Sequence, residues 1–332
     1  MAAAATLALA LVVAGQPAGA ADAPRCLGLR ATIVGSGAIE GTPGNDVIVG
    51  SSGDDQIEGR GGNDTICGLD GIDQLNGGLG NDRISGGAGN DRLVGDNYDR
   101  DNDTTGAGND WLEGGPGRDQ IAGDNVSGSV ARGAGNDVLL GGDDTDNDFM
   151  WGDSSAGDGA YGAGSDVLIA GGGGVFAIGD NAVVNGGGVA SGAGSDVIDA
   201  SATTGSLLNG DNSSFGDAFG AANDLIIGGE GDDFIGGDNS PDYGYQVTGV
   251  GNDVIFGRGG DDVIFGDHTP DLVESITTSG GNDLIDAGDG VDQVVAGPGR
   301  DRINGGAGDP DDCNGEAGTD TQTGCEIVTD IP

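Results

Sequence analysis

The fold is decided by residues 41–94, which read GTPGNDVIV, GSSGDDQIE, GRGGNDTIC, GLDGIDQLN, GGLGNDRIS and GGAGNDRLV, six units of nine residues without a gap. The units share glycine at positions 1 and 4, aspartate at position 6 and a branched aliphatic residue at position 8. A fixed period of this kind is typical of repeat architectures, in which each unit stacks on its neighbours. Near-regular units recur downstream, as GGPGRDQIA from Gly114, GGEGDDFIG from Gly228, GRGGDDVIF from Gly257 and AGPGRDRIN from Ala296.

Each unit predicts a six-residue loop followed by a three-residue strand. The glycines tolerate the positive φ angles that a tight loop requires. Because only the middle strand residue is reliably apolar, we expect this residue to face inward. The predicted core positions are Ile48, Ile57, Ile66, Leu75, Ile84, Leu93, Leu112, Ile121, Leu139, Met150, Leu168, Ile198, Leu208, Ile226, Ile235, Ile255, Ile264, Ile285, Val294 and Ile303.

Composition by itself would indicate disorder, since the 332 residues include 75 Gly and 56 acidic residues against 11 basic ones. The acidic residues are evenly spaced, however, which disorder does not require. A formal net charge of -45 excludes binding to nucleic acid or to an anionic membrane without a counter-ion. The sequence therefore points to cations as partners.

The units match the pattern GGxGxDxUx and resemble the RTX, or haemolysin-type, calcium-binding repeats over about residues 41–323. The resemblance implies an all-β fold, a right-handed parallel β-roll or β-solenoid with two units per turn, hence about 11–12 turns here. It also implies multiple Ca²⁺ ions as cofactors, held between successive loops by the position-6 aspartates and by backbone carbonyls. A hard cation prefers six to eight oxygen ligands, which such loops can supply.

Carried over position by position, the resemblance implies a column of metal-ligating carboxylates. For any single Gly-Asn-Asp the alternative is a turn residue that bonds its own backbone. The implied ligands are Asp46, Asp55, Asp64, Asp73, Asp82, Asp91, Asp110, Asp119, Asp137, Asp148, Asp166, Asp196, Asp224, Asp233, Asp253, Asp262, Asp283, Asp292 and Asp301.

A second period begins after Leu93, where GDN, GDS or GDH triplets each lead into an irregular stretch of chain. With two units per turn, every such insertion falls on one edge of the roll, so we expect insertion loops stacked along that edge. We call it the decorated edge and the opposite one the smooth edge. The triplets begin at Gly95, Gly123, Gly152, Gly179, Gly210, Gly237 and Gly266.

The two edges differ in their aspartates. On the decorated edge every unit keeps its aspartate, from Asp110 through Asp283. On the smooth edge Val175 stands at the ligand position, and the unit from Ala200 has no aspartate. The sequence thus leaves calcium binding by the smooth edge open near residues 170–209.

Two acidic clusters in the irregular stretches resemble the opening of an EF-hand loop. They are Asp99-x-Asp101-x-Asp103 and Asp144-x-Asp146-x-Asp148, and both lack the glycine and the terminal glutamate of that motif. We therefore interpret them as solvated loops rather than as separate metal sites.

The four cysteines indicate disulfides rather than metal ligands, because the chain has no CxxC pair and a single histidine, His268. In a repeat array each unit contacts only near neighbours. This predicts the pairs Cys26–Cys67 and Cys313–Cys325, one at each end of the array.

The segments follow from these patterns. Residues 1–20 predict a cleaved signal peptide, with an apolar run too short for a membrane span and a small-residue cleavage site, and hence Sec-type export to the extracellular space. We expect an N-terminal cap at 21–40, regular repeats at 41–94, repeats with alternating insertions at 95–295, and the last repeats with a disulfide-bonded C-terminal cap at 296–332.

For function, the patterns favour a secreted calcium-ion-binding protein with a structural or adhesive role, and not an enzyme. The chain has one His, no Lys, and neither GxSxG nor HExxH. The alternative is a calcium-dependent polysaccharide-active enzyme such as a lyase, for which Arg300 and Arg302 beside Asp301 are the nearest approach to an active site. Expected partners are calcium ions and cell-envelope or matrix material, with no nucleic acid and no membrane span. The apolar residues that flank the core positions in the middle of the chain could also form a stripe for self-association.

Overall fold

The protein is an all-β stack of coils in a computed structural model that describes residues 23–184, 188–241, 247–268 and 280–331. Two parallel sheets run the length of this part of the chain, and the strands alternate between them, so that one strand of each sheet makes a coil. The predicted fold class, a parallel β-roll or solenoid, is confirmed. The predicted signal peptide, residues 1–20, lies outside the described residues.

Each of the two sheets contains 13 strands within the described residues, slightly more than the 11–12 turns expected. The excess arises because the cap segments also pair with the array: Ile33–Val34 and Ala38–Glu40 come before the first repeat, and Ile327–Thr329 follows the last. The first sheet comprises Ile33–Val34, Val47–Val49, Thr65–Asp70, Arg83–Ala88, Trp111–Glu113, Val138–Leu140, Val167–Ile169, Val197–Asp199, Leu225–Ile227, Val254–Gly259, Leu284–Asp289, Arg302–Ala307 and Thr321–Thr323. The second comprises Ala38–Glu40, Gln56–Glu58, Gln74–Asn76, Arg92–Val94, Gln120–Ala122, Asp148–Trp151, Val175–Ile178, Leu207–Asn209, Phe234–Gly236, Val263–Phe265, Gln293–Val295, Asp312–Asn314 and Ile327–Thr329.

The core is a double column of aliphatic side chains between the two sheets. Register keeps equivalent positions in line, as where Leu93 pairs with Leu75 on one side and Ile121 on the other. All the predicted core residues are buried, none more than 3% exposed. Ala177 and Cys313 also lie in this cluster, at positions where the sequence carries no branched aliphatic residue.

The insertions lie on one edge, as predicted, because each follows a strand of the second sheet and precedes a strand of the first. They are not irregular loops, however. In the described residues they form two further six-stranded parallel sheets, which we call the insertion lobe. One comprises Tyr98–Asp99, Val126–Ser127, Ser155–Ala156, Ala182–Val183, Ser213–Ser214 and Ser240–Pro241; the other comprises Thr104–Thr105, Val130–Arg132, Gly159–Tyr161, Val189–Ser191, Asp217–Phe219 and Val247–Thr248.

The insertion lobe is held together by small side chains and amide ladders. Its core consists of Ala131, Ala156, Ala160, Val183 and Ala190. At its base, asparagine side chains stack from coil to coil, as where Nδ2 of Asn181 donates to Oδ1 of Asn212 at 3.0 Å and Nδ2 of Asn212 donates to Oδ1 of Asn239 at 3.0 Å. The period of the GDN triplets thus marks a second stack of strands.

Both ends of the array carry the predicted disulfides. Cys26 is bonded to Cys67, and Cys313 to Cys325. Arg25–Cys26 also pairs antiparallel with Leu29–Arg30, and the first bridge ties this short hairpin to the third coil.

Candidate metal sites

The predicted ligand aspartates lie in two columns, one on each edge of the roll, and all are at most 8% exposed. Each stands immediately before the strand that follows its loop or, for Asp148, at its first residue, so the regular stacking of strands also stacks the carboxylates. The decorated-edge column contains Asp46, Asp64, Asp82, Asp110, Asp137, Asp166, Asp196, Asp224, Asp253, Asp283 and Asp301. The smooth-edge column contains Asp55, Asp73, Asp91, Asp119, Asp148, Asp233, Asp262 and Asp292.

In nearly all of these aspartates one carboxylate oxygen is fixed by the preceding coil; Asp233 is the exception, since its Oδ1 has no donor and its Oδ2 accepts the N–H of Gly229 at 2.6 Å. The backbone N–H of Asp64 donates to Oδ1 of Asp82 at 2.7 Å, and that of Asp91 donates to Oδ1 of Asp119 at 2.8 Å. The same bond repeats along both columns.

The second oxygen, Oδ2, has no hydrogen-bond donor in most of the column. Buried polar atoms without partners are rare in folded proteins, so a repeated series calls for an explanation such as a bound ion. The atoms concerned belong to Asp64, Asp73, Asp82, Asp91, Asp110, Asp119, Asp137, Asp166, Asp196, Asp224, Asp253, Asp262, Asp283, Asp292, Asp301, Asp311 and Asp320.

The unpartnered oxygens face space that glycine leaves open. A Cβ atom on Gly86, at position 1 of its loop, would lie 2.5 Å from Oδ2 of Asp91 and 2.7 Å from the carbonyl oxygen of Gly114 in the next coil. On the decorated edge a Cβ on Gly152 would collide with Oδ2 of Asp166 and a neighbouring carbonyl. A carboxylate and a carbonyl oxygen from adjacent coils therefore converge there, which suits a hard cation.

Without a bound cation, most of these aspartates have a pKa well above the ordinary value. Burial raises the pKa of Asp82 to about 7 and that of Asp73 to about 6. On the decorated edge, burial and the charges of neighbouring aspartates raise the pKa of Asp110 and of Asp253 to about 9. A calcium ion in these positions would displace protons, because its ligands must be ionised.

The first coil differs from the rest. Both the backbone N–H and the hydroxyl of Thr42 donate to Oδ2 of Asp46, at 2.7 and 2.8 Å. Burial works to raise the pKa of Asp46, but the hydrogen bonds from Thr42 and Thr32 outweigh it and the pKa is lowered. Ser51 caps Asp55 in the same way. The array thus begins with carboxylates that are satisfied by the chain itself.

The smooth edge is interrupted where the sequence indicated. Val175 pairs with Asp148 in register, and the equivalent position in the next coil is Ser206, whose hydroxyl donates to Thr203. The column resumes at Asp233. Two consecutive coils therefore present no carboxylate on this edge.

Sequence reasoning missed aspartates in both columns. Asp311 and Asp320 are buried and their Oδ1 atoms accept the backbone N–H groups of Asp292 and Asp301. The unit GEAGTDTQT around Asp320 keeps the glycines and the aspartate, but it has Gln322 in place of the aliphatic residue. In this unit the aspartate at position 6 indicates the repeat, whereas the residue at position 8 does not.

A third column of aspartates, also missed, follows the glycines that open the insertions. These residues are buried at the base of the insertion lobe, between 0 and 4% exposed. From the sequence, the period of the Gly-Asp triplets was interpreted only as the start of each insertion, and the burial of the aspartates was not predicted. They are Asp96, Asp124, Asp153, Asp180, Asp211, Asp238 and Asp267.

The two EF-hand-like clusters form local turns. Oδ1 of Asp99 accepts the backbone N–H of Asp101 at 2.9 Å, and Oδ1 of Asp144 accepts that of Asp146 at 2.7 Å. Asp101 is exposed. The exposure of Asp101 agrees with a solvated loop for the first cluster, whereas Asp148 of the second cluster is buried in the smooth-edge column.

The carboxylate and backbone carbonyl oxygens at the two edges together suit calcium, which accepts both kinds of oxygen ligand. In the described part of the chain, no three His, Cys, Asp or Glu side chains are grouped so that they could hold one metal ion. A site at either edge would therefore draw most of its oxygens from backbone carbonyls of the glycine loops. No helix among the described residues could span a membrane.

Comparison with known families agrees with this geometry. A family model described as RTX calcium-binding nonapeptide repeat (4 copies) matches residues 40–75, 68–97, 100–127, 220–243, 247–267, 273–302 and 287–322. These segments together cover more than half of the chain. No curated protein matches it significantly.

Proposed function

Because this chain belongs to the RTX calcium-binding nonapeptide repeat family, we propose that it is an exported protein that folds as several calcium ions enter its two loop edges. The observation that carries the proposal is the series of buried Oδ2 atoms without donors, many of which lie beside a carbonyl oxygen of the adjacent coil. Binding energy then becomes folding energy, since the unfolded chain has no preformed site.

Electrostatics supports the coupling of binding to folding. Carboxylates in each column are stacked at the parallel-strand spacing, where unscreened repulsion between neighbours is on the order of 1 kcal/mol even in water. The net charge of -45 adds a general opposition to compaction. Divalent ions between the coils would offset the repulsion within each column and reduce the net charge.

A calcium titration of the mature chain followed by far-ultraviolet circular dichroism tests the proposal. We expect a largely unfolded spectrum in EDTA and a cooperative gain of β signal with calcium, at lower concentration than with magnesium, which demands a stricter geometry. The same β content with and without calcium would contradict it.

We propose a binding role, rather than a catalytic one, for the outer face of the second sheet. Phe149 and Trp151 lie in one strand and Phe176 in the next, with ring centroids of Phe149 and Phe176 5.9 Å apart. Arg118 packs over Phe149 at 4.7 Å. A groove lined by Gln74, Arg92, Arg118, Gln120, Phe149 and Trp151 joins these rings to amide and guanidinium donors.

Such a face suits an adhesive contact with polysaccharide of a cell envelope or matrix, because flat rings and hydrogen-bond donors alternate on it. Sedimentation with purified cell-wall polysaccharide would test this. We expect Trp151→Ala to reduce retention and Phe215→Ala, an exposed ring in the insertion lobe, to leave it unchanged. Equal retention of both variants would count against the adhesive role. Concentration-dependent association of the chain in light scattering would favour self-association instead.

A further inference from the structure

The third column of aspartates lies on the decorated edge. Each of these aspartates occupies position 2 of its loop, the position that Gly78 holds in the last regular coil. The backbone N–H of Gly78 in the last regular coil donates to the carbonyl oxygens of Gly95 and Asp96, at 3.0 and 2.9 Å. Asp96 thus replaces a position-2 glycine, and the insertion begins after it. The same holds for the aspartate of each later triplet.

Several of these carboxylates lack the donors that a buried anion requires. No backbone N–H or other non-carboxyl donor reaches either oxygen of Asp96, Oδ1 of Asp124 or Oδ2 of Asp238, and all three side chains are 0% exposed. Carboxyl groups of the same column lie beside them instead, as where Asp96 faces Asp124 and Asp238 faces Asp267. Leaving a charged group in this condition is strongly unfavourable. The column therefore needs cations or protons.

The third column converges on the decorated-edge column. A Cβ on Gly251 would lie 2.7 Å from Oδ1 of Asp238 and 2.7 Å from Oδ1 of Asp253. In the coil with Asp153 and Asp166, a Cβ on Gly164 would lie 2.8 and 3.0 Å from the corresponding oxygens. Oδ1 of each of the two aspartates thus lies beside the position-4 glycine, and the N–H of that glycine donates to Oδ1 of the third-column aspartate, at 2.8 Å for Asp238 and 3.2 Å for Asp153. The carboxyl groups of the two columns are therefore neighbours within one loop.

Charge distinguishes the two edges. Each coil with an insertion places two aspartates on the decorated edge, whereas a regular coil places one there and the smooth edge places one or, at Val175 and Ser206, none. Two carboxylates per coil match the charge of one divalent ion per coil. More ligand charge also gives tighter calcium binding.

We propose that the third-column aspartates are additional calcium ligands, which complete the coordination of the decorated-edge ions. This inference rests on the proposed calcium binding and assigns a new ligand set to it. The decorated edge between Asp96 and Asp283 then holds the strongest sites of the protein and fills before the smooth edge. The insertion lobe is ordered by the same ions, because its base is formed by the residues next to this column.

The two tryptophans allow a direct test with terbium as a calcium substitute. Trp111 follows Asp110 and Trp151 precedes the Gly152-Asp153 pair, so both adjoin the decorated edge. Luminescence sensitised by tryptophan therefore reports ions on that edge. Lifetimes in H₂O and D₂O give the number of waters on the bound ion, and this number rises if a protein ligand is lost.

The variant Asp153→Asn should weaken terbium and calcium binding at this edge by roughly 10-fold to 100-fold and add a coordinated water. Asp158→Asn is the matched control, since Asp158 is exposed in the same insertion. Asp96→Asn serves as the second variant, because no backbone N–H donates to Asp96 and the substitution removes the charge while it keeps the size of the side chain. Far-ultraviolet circular dichroism of this variant in saturating calcium checks that it still folds. Its control is the exposed Asp103→Asn.

The outcomes separate the two proposals. If the unmodified chain takes up neither ion, both fail. If it binds calcium but Asp153→Asn and Asp96→Asn keep its affinity and its hydration number, only the third-column assignment is overturned. That second result would mean that protons, rather than cations, neutralise this column.

Discussion

Oδ1 of Asp166 accepts the backbone N–H of Asp137, one coil earlier on the decorated edge, at 2.7 Å. The same bond recurs along most of both columns and makes such an aspartate both a part of the fold and a candidate ligand. Oδ1 holds the preceding coil in place, while Oδ2 faces the neighbouring carbonyls without a donor. The two oxygens of one carboxylate thus have separable tasks, which substitutions can distinguish.

Replacing Asp166 by Asn keeps an acceptor for the Asp137 N–H but removes the charge, whereas Ala removes both. We expect Asp166→Asn to weaken calcium binding while the calcium-saturated spectrum is preserved. Asp166→Ala should in addition lower the stability of the calcium-saturated fold by about 1–3 kcal/mol, because a buried N–H loses its partner. Calorimetry and thermal unfolding of both variants measure the two effects. Identical behaviour of the Asn and Ala variants would be inconsistent with this division of tasks.

The calcium-free chain should fold better in acid. The ordinary pKa of an aspartate is 3.8, and burial raises it to about 7 for Asp82 and about 9 for Asp110. A folded-state pKa above the unfolded one stabilises the fold at low pH, and this contribution is lost as the pH rises through about 6 to 9.

We therefore expect more β structure in EDTA at pH about 4 than at pH about 8, measured by circular dichroism. Calcium at the higher pH should restore it with release of protons. A calcium-free chain that is more ordered at pH about 8 than in acid would show that the carboxylate columns do not control folding.

Position-1 glycines should resist substitution on account of the oxygens that face them. A Cβ on Gly86 would crowd Oδ2 of Asp91 and the carbonyl oxygen of Gly114. We expect Gly86→Ala to destabilise the calcium-bound fold by about 1–3 kcal/mol, as overpacking does. Gly53→Ala is the control, because a Cβ there would meet nothing within 4 Å. If the two variants unfolded at the same midpoint in calcium, the oxygens of Asp91 and Gly114 could not lie as close to Gly86 as the structure places them.

The disulfides should stabilise the two ends unequally. Cys26 and Cys67 are 41 residues apart and Cys313 and Cys325 are 12 apart, so by loop entropy their removal costs about 4 and about 3 kcal/mol. Denaturant unfolding in calcium of the two double-serine variants compares them. If removal of the Cys313–Cys325 bridge lowered stability clearly more than removal of the Cys26–Cys67 bridge, the result would argue against the entropic account.

Much of this fold could be predicted because each nonapeptide repeats the same local rules. Position 8 identified the buried column, as Leu93 and Ile121 show, and the two units per turn that the family resemblance implies placed all insertions on one edge. The disulfides followed from the restriction of contacts to neighbouring coils. The gap at Val175 was also visible, since one ligand position was simply apolar.

What escaped the sequence depends on contacts between distant segments. The insertions looked irregular because their strands are only two or three residues long and their core uses alanines such as Ala131 and Ala160. Asp96 looked like a loop residue, and its burial becomes evident only when the insertion lobe covers the decorated edge. Asp320 was missed because its unit has lost the aliphatic residue that defined the search pattern.

The central claim is that divalent ions between stacked carboxylates hold the coils together. Elemental analysis combined with small-angle scattering of the purified mature chain, before and after exhaustive chelation, tests it most directly. We expect several calcium ions per chain and a compact elongated particle before chelation, and an expanded chain without calcium afterwards. A particle of unchanged dimensions that carries no metal would contradict the account.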